Sequence, residues 1–102
     1  MNRVTSTTSD RLERDRDNTD RATLDVLPLP AHAAGYRWDV RKGTYGTHAF
    51  LSWPGTRSRY CLAEVQRTAS GGWSATIYDA GGARIRRADA GTLPEAWSAA
   101  NR

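Results

Sequence analysis

The fold of this chain is decided by residues 72–102, which read GWSATIYDAGGARIRRADAGTLPEAWSAANR. Apolar and polar side chains alternate over residues 73–78 and again over residues 83–87, which is the period of a strand. Asp79-Ala80-Gly81-Gly82, between them, is typical of a hairpin turn. The alternation predicts an inward face with Trp73, Ala75, Ile77, Ala83 and Ile85, and an outward face with Ser74, Thr76, Tyr78, Arg84 and Arg86.

A short helix is predicted directly after these strands. Thr92-Leu93-Pro94-Glu95 matches a capping box, in which the threonine side chain accepts a hydrogen bond from the Glu95 amide. Pro94 falls in the first turn, where a missing amide donor costs nothing. Apolar residues then recur at helical spacing, and they are Leu93, Ala96, Trp97 and Ala100. The helix is therefore expected to pack on the sheet, with Trp97 as its anchor.

Strand patterns also occur upstream of residue 72. Residues 36–40, 48–53 and 60–67 alternate with a period of two, and glycine- or proline-containing loops at 41–46, 54–58 and 70–72 separate them. Consecutive hairpins of this kind build an antiparallel meander with one face that needs cover. The predicted fold is α+β: an antiparallel β-meander of about four or five strands with one C-terminal helix packed on one face, preceded by a disordered N-terminal tail.

Residues 1–30 and residues 31–102 are predicted to be physically different. No aromatic residue precedes Tyr36, and the cap signal at residues 10–13 has only Leu12 beside it, so residues 1–30 are predicted to be a disordered tail and linker. Residues 31–102 are predicted to form a single small domain. Within the tail, residues 24–30 (LDVLPLP) suit an extended strip docked on the domain, or a linear motif for a protein partner.

The charge is distributed unevenly between these parts. Residues 1–30 hold five arginines and six acidic residues, whereas residues 31–102 hold ten basic and five acidic residues and carry a net charge of +5. A basic domain favours association with polyanions such as nucleic acid. The alternative is compositional, because Lys42 is the only lysine and an arginine-rich chain with abundant Ala and Gly is typical of a GC-rich genome.

The sequence contains no catalytic signature. It has no Gly-x-Ser-x-Gly elbow, no paired carboxylates in one apolar context and no phosphate-binding Gly-Lys-Ser/Thr loop. His48 and Cys61 are the candidate reactive residues, and both are expected to be ordinary strand side chains. One cysteine and two histidines do not suit a structural zinc site. We therefore predict a protein that is not an enzyme and that has no metal and no cofactor.

The same composition bears on location. The first residues lack the apolar run of a signal peptide, and no window of the sequence approaches a membrane span. The lone Cys61 excludes an intramolecular disulfide. The expected location is the cytoplasm, with no membrane partner.

The remaining candidate site is a basic sheet face. Arg84, Arg86 and Arg87 cluster beside the outward Thr76 and Tyr78 of the neighbouring predicted strand. A ribbon of strands fits the DNA major groove; the arginines would contact phosphates, and Thr76 and Tyr78 would add hydrogen bonds or stacking. The alternative is a solvated outer face. The residues that would extend the patch, if the register allows it, are Arg37, Arg57 and Arg59.

The C-terminal residues resemble a known DNA-binding unit. The segments WSATIYD (73–79), GARIRR (82–87) and GTLPEAW (91–97) are similar to the arm-site DNA-binding domain of phage and transposon tyrosine integrases. The resemblance implies a three-stranded sheet with a helix behind it, which reads DNA with the sheet through Arg84, Arg86, Thr76 and Tyr78. The same segments also resemble small uncharacterised proteins of phages and mobile elements from GC-rich hosts, which carry no biochemical assignment.

Two functions follow as expectations. The first is a non-enzymatic accessory protein of phage or mobile-element type that binds nucleic acid through a basic sheet face. The second is a protein–protein interaction module, such as an inhibitor or modulator of a host factor, which uses an edge strand or residues 24–30. An uncovered second sheet face would also favour a homodimer. The outward placement of Phe50, Tyr60 and Leu62 is consistent with a homodimer, or with a surface that the tail covers.

Overall fold

The computed structural model describes residues 3–55 and 61–102, and these residues form an α+β fold. Five antiparallel strands follow one another across the sheet in sequence order, with one helix before the sheet and one after it. The elements are helix α1 (Arg3–Asp25), a short 3-10 helix (Ala31–Ala33), strands β1 (Arg37–Gly43), β2 (Gly46–Ser52), β3 (Ala63–Arg67), β4 (Trp73–Tyr78) and β5 (Arg84–Ala90), and helix α2 (Leu93–Ala100). The predicted meander and C-terminal helix are confirmed.

One face of this sheet is apolar and lies under both helices. Residues directly opposite each other in an antiparallel pair share a face, so the register assigns every strand residue to a side. We call this side the covered face; its apolar residues are Trp38, Val40, Ala49, Leu51, Ala63, Val65, Trp73, Ala75, Ile77, Ala88 and Ala90. Most of them belong to a single hydrophobic core, which the helices complete.

Helix α2 has the predicted cap and stripe. The Thr92 side chain accepts from the Glu95 amide, and its hydroxyl donates to the Glu95 carboxylate at 2.9 Å. Leu93, Ala96, Trp97 and Ala100 are all buried. The Trp97 ring meets Trp38 edge-on, with 5.4 Å between centroids, which is a favourable aromatic geometry. Trp97 is therefore the anchor that the sequence predicts.

Residues 24–30 dock on the domain, which is one of the two roles that the sequence suggests for them. Leu24 and Leu27 are buried members of the core, and Trp97 Nε1 donates to the Pro28 carbonyl at 2.7 Å. The proline at position 28 cannot continue a helix, so the chain leaves α1 in an extended form here. These residues act as a strap between α1 and α2.

Helix α1 occupies most of the segment for which the sequence predicts a tail. The structure has a helix from Arg3 to Asp25, and its C-terminal part is fixed to the covered face. Asp20 is only 3% exposed and accepts hydrogen bonds from Thr47 Oγ1 at 2.8 Å and Arg67 Nη2 at 2.7 Å. These hydrogen bonds to distant residues supply the stabilisation that residues 1–30 lack in their own sequence. Residues 10–16, by contrast, are exposed, and Leu12 finds no apolar neighbour in the described core.

Two loop boundaries also differ from the sequence prediction. The predicted loop at residues 41–46 is mostly strand, because β1 and β2 pair down to Gly43 and Gly46 and leave a two-residue turn. Gly46 has a φ of 127°, a conformation that side-chain-bearing residues rarely adopt. The third strand begins at Ala63, whereas the predicted start at Tyr60 lies outside the described residues. Within the described ranges, neither helix combines the length and apolar content that crossing a bilayer requires.

Candidate functional site

The second face of the sheet carries polar and charged residues. We call it the open face, because none of the described contacts of α1 or α2 reaches it. The register assigns to it Arg37, Asp39, Arg41, His48, Phe50, Ser52, Glu64, Gln66, Ser74, Thr76, Tyr78, Arg84, Arg87 and Asp89. Basic residues therefore stand on both edge strands, and a single carboxylate, Glu64, stands at the centre.

A β-bulge splits the predicted arginine cluster. Arg84 pairs with Tyr78 and Arg86 pairs with Ile77, so one extra residue, Ile85, is inserted between them. Arg84 consequently lies on the open face and Arg86 on the covered side. The prediction that Arg84 and Arg86 share a face was wrong, and so was the inward placement of Ile85, whose side chain is 61% exposed.

Arg87 also lies on the open face, one residue beyond Arg86. Its register partner is Thr76, which faces away from the helices. Arg84 and Arg87 are therefore the two members of the predicted cluster that the open face brings together. The predicted cluster is based on proximity in the sequence. A β-bulge can move any single residue of such a cluster to the other face of the sheet.

Thr76 and Tyr78 lie on the open face, as the alternation predicts, but both are less available than an outward position suggests. Thr76 is only 5% exposed. The Tyr78 hydroxyl donates to Glu64 Oε1 at 2.5 Å. Burial, followed by this bond to Glu64, raises the pKa of the Tyr78 phenol above its ordinary value of 10.0. Tyr78 therefore holds Glu64 in place.

Glu64 is the hub of a three-residue cluster that the sequence analysis missed. Its second oxygen, Oε2, lies 2.9 Å from His48 Nε2, so His48 and Tyr78 bind the same carboxylate from two neighbouring strands. The Glu64 side chain is 19% exposed. Only the sheet register brings these residues together, and alternation within one strand carries no signal of it.

An aromatic and cationic stack lies beside this cluster. The His48 and Phe50 rings are 4.5 Å apart between centroids and inclined by 32°, and the Arg41 guanidinium carbon lies 5.6 Å from the Phe50 centroid. Phe50 stands between Asp39 and Glu64 in its cross-strand row. The sequence analysis placed Phe50 outward, and the register agrees. Leu62, also placed outward, packs against the core instead.

Acidic side chains on the edge strands partly neutralise the arginines. Arg41 binds Asp39 at 2.8 Å, and Arg87 binds Asp89 at 3.2 Å. Among the described residues Arg37 and Arg84 make no ion pair. The open face thus holds four arginines against three carboxylates. Arg57 and Arg59, the other predicted extensions of the patch, lie outside the described residues.

The candidate reactive residues are not arranged for nucleophilic chemistry. Burial, and then the nearby Glu64 charge, raise the pKa of the Cys61 thiol, which disfavours the reactive thiolate. His48 directs Nε2 to Glu64. Within residues 3–55 and 61–102, no three His, Cys, Asp or Glu side chains are grouped as metal ligands would be. The arrangement suits binding through charge and ring stacking.

Comparison of the chain with models of protein families, with curated proteins and with solved structures gives no match. Function is therefore inferred from the two faces of the sheet and from the residues that the open face presents.

Proposed function

We propose that this chain is a non-enzymatic accessory protein, of phage or mobile-element type, that binds nucleic acid through the open face. The observation that carries the proposal is the position of the helices. Both pack on the covered face, which leaves the opposite face of a five-stranded sheet with arginines on each edge strand. Sheets that present such a face can contact phosphates and bases.

The C-terminal part of the chain adds support. Strands β3, β4 and β5 with α2 make a three-stranded antiparallel unit with a helix behind it. This is the arrangement that the resemblance to integrase arm-site domains implies. Of the four residues to which the resemblance gives the contacting role, Arg84, Thr76 and Tyr78 lie on the face away from the helix, and Arg86 lies on the helix side.

The charge on the open face sets the expected strength of binding. Among the described residues, two arginines of this face are paired with aspartates, and Arg37 and Arg84 remain as its free cations. Two to four phosphate contacts correspond to a slope of about −1.5 to −3 for log affinity against log salt. Binding should therefore be of modest affinity and visibly salt-dependent, without the steep slope of a large basic groove.

Because of the β-bulge, arginines of one strand face opposite sides of the sheet, which allows a matched pair of variants. The variant Arg84→Ala with Arg87→Ala removes two open-face cations, and Arg86→Ala removes a cation of the same strand that faces the other side. Fluorescence anisotropy with labelled oligonucleotides at two salt concentrations should show weaker binding for the double variant, with a salt slope that is flatter by about 1.5. Arg86→Ala should bind as the wild type does. Equal loss in both variants, or loss in neither, would contradict the proposal.

A second candidate function has its own observation. An apolar groove of about 640 Å³ runs between residues 27–30 and helix α2, lined by Leu27, Pro28, Leu29, Pro30, Pro94, Trp97, Ser98, Asn101 and Arg102. A protein partner that inserts apolar side chains there would make the chain an interaction module, the alternative expected from the sequence.

The two candidates respond differently to one substitution. Deleting residues 1–30 would remove Leu24 and Leu27 from the core, so a point variant is the cleaner test. Leu29→Asp places a charge in the groove at a residue that is already partly exposed. An interaction module should lose its partner in this variant, whereas nucleic-acid binding through the open face should not change.

A further inference from the structure

We propose that the ligand of the open face is single-stranded nucleic acid, with its bases stacked over the His48–Phe50 pair and its phosphates along the arginine-bearing edges. This inference rests on the proposed function and names the form of nucleic acid that the face fits. It follows from three features of the open face: a central carboxylate, an aromatic stack and a small number of free cations.

The central carboxylate excludes phosphate from the middle of the face. Glu64 is bound on both oxygens, by His48 Nε2 and by the Tyr78 hydroxyl, so its position is fixed. A phosphate placed over it would meet like charge in a partly desolvated setting. The arginines lie on β1 and β5, four interstrand spacings of about 4.8 Å apart, so about 19 Å. Phosphates therefore follow the edges, and less charged parts of the ligand lie over the centre.

The aromatic stack gives those parts a surface to bind. Phe50 lies between two acidic residues in its row, with the His48 ring on one side and the Arg41 guanidinium near its ring. Planar rings and guanidinium groups stack on bases of any sequence, because every base has a π-face. Glu64, beside the stack, can accept from the amino groups of bases. Strand β2 thus supplies the two rings, β1 supplies the guanidinium and β3 supplies the acceptor.

Single strands match these features better than a duplex does. A duplex keeps its bases stacked on one another, so their faces are not free to meet the Phe50 ring. A duplex also carries phosphates at twice the density of one strand. The open face has four arginines and three carboxylates, so its net positive charge is too small to match that density. An extended single strand can place unstacked bases over the rings while its phosphates follow the arginine-bearing edges.

The test compares ligands and ring variants in one titration. Labelled DNA and RNA single strands of about twelve nucleotides, and a duplex of the same sequence, are titrated with the full chain. Wild-type protein should bind the single strands about tenfold more tightly than the duplex. Phe50→Leu, which keeps an apolar side chain and removes the ring, should abolish most of this preference. The control Tyr45→Leu removes an exposed ring in the β1–β2 turn and should change nothing.

The outcomes separate this inference from the proposed function. Duplex bound as tightly as single strands, with Phe50→Leu unchanged, would overturn the inference and leave nucleic-acid binding in place. No binding to any oligonucleotide at low salt would overturn both. Should Phe50→Leu fail to fold, Arg41→Gln at the exposed edge removes the cation near the ring. It should then weaken single-strand binding about threefold and leave the unfolding temperature unchanged.

Discussion

The two faces of the sheet are made by the same five strands, yet one is mainly apolar and the other is mainly polar and charged. On the covered face, Trp38, Val65 and Ala75 alternate into a core that α2 and the residues after α1 complete. On the open face, the buried or half-buried positions hold Ser74, Thr76 and Glu64, which a core would not use unless paired. The covered face therefore supplies the hydrophobic core, and the open face presents polar and charged groups that lie outside that core.

The largest expected loss of stability comes from a substitution on the covered side of the sheet. Trp97→Ala should lower the free energy of unfolding by about 3–5 kcal/mol, because it empties the space against Trp38 and removes the bond to the Pro28 carbonyl. Urea denaturation followed by circular dichroism measures this. Phe50→Ala is the comparison on the open face and should cost much less. Equal losses at the two positions would contradict the division into a core face and a binding face.

The next effect concerns how α1 is attached to the covered face. Asp20→Ala should cost about 2–3 kcal/mol, because it leaves Arg67 and Thr47 without their buried acceptor. Glu13→Ala is the matched control on the same helix, since Glu13 meets Lys42 in an exposed pair at 3.3 Å, which contributes little. If the two variants lose the same stability, Asp20 is not the anchor of α1.

A smaller, pH-dependent effect on stability is expected from Tyr78 on the open face. The raised pKa of Tyr78 means that folding favours the neutral phenol, so its contribution is complete below pH 10.0 and is lost as pH rises above that value. Tyr78→Phe should cost about 1 kcal/mol at neutral pH through the lost bond to Glu64. Urea unfolding of both proteins across this range should show the difference shrinking at alkaline pH; a constant difference would argue against the Tyr78–Glu64 bond.

The smallest effect defines how much of α1 belongs to the covered layer. Deleting residues 2–12 should change the free energy of unfolding by less than about 0.5 kcal/mol, since the described part of this segment is exposed. The first ion pair of α1 with the sheet, between Glu13 and Lys42, remains in the shortened chain. A loss as large as that of Asp20→Ala would show that the deleted turns support the fold.

The sequence predicts local structure well where the signals are contained in one element. Helix α2 needs only the Thr92–Glu95 cap and a stripe ending at Ala100, and both are present as expected. The attachment of helix α1 to the sheet is not predicted by the sequence, because its anchor joins Asp20 to Arg67, far apart in the chain. No composition or periodicity of residues 1–30 reveals that contact.

The candidate site was predictable to a lesser degree, for a related reason. Alternation correctly put Arg84, Thr76 and Tyr78 on one face, whereas the bulge at Ile85 moved Arg86 to the other. A bulge depends on how two strands exchange hydrogen bonds, which the pattern within one strand does not encode. The Glu64 cluster likewise depends on the register of three strands.

The most direct test of the account is to record the chemical-shift changes of the backbone amides while a single-stranded oligonucleotide is added at low salt. Binding through the open face should change amide shifts on β1, β2 and β5 around Arg41, Phe50 and Arg84, and it should leave the amides of α2 and of the strap at residues 24–30 unaffected. Changes concentrated at Trp97 and Leu29 would place binding in the groove beside α2. That result, or a spectrum with no changes at all, would contradict the claim that the open face is the functional face.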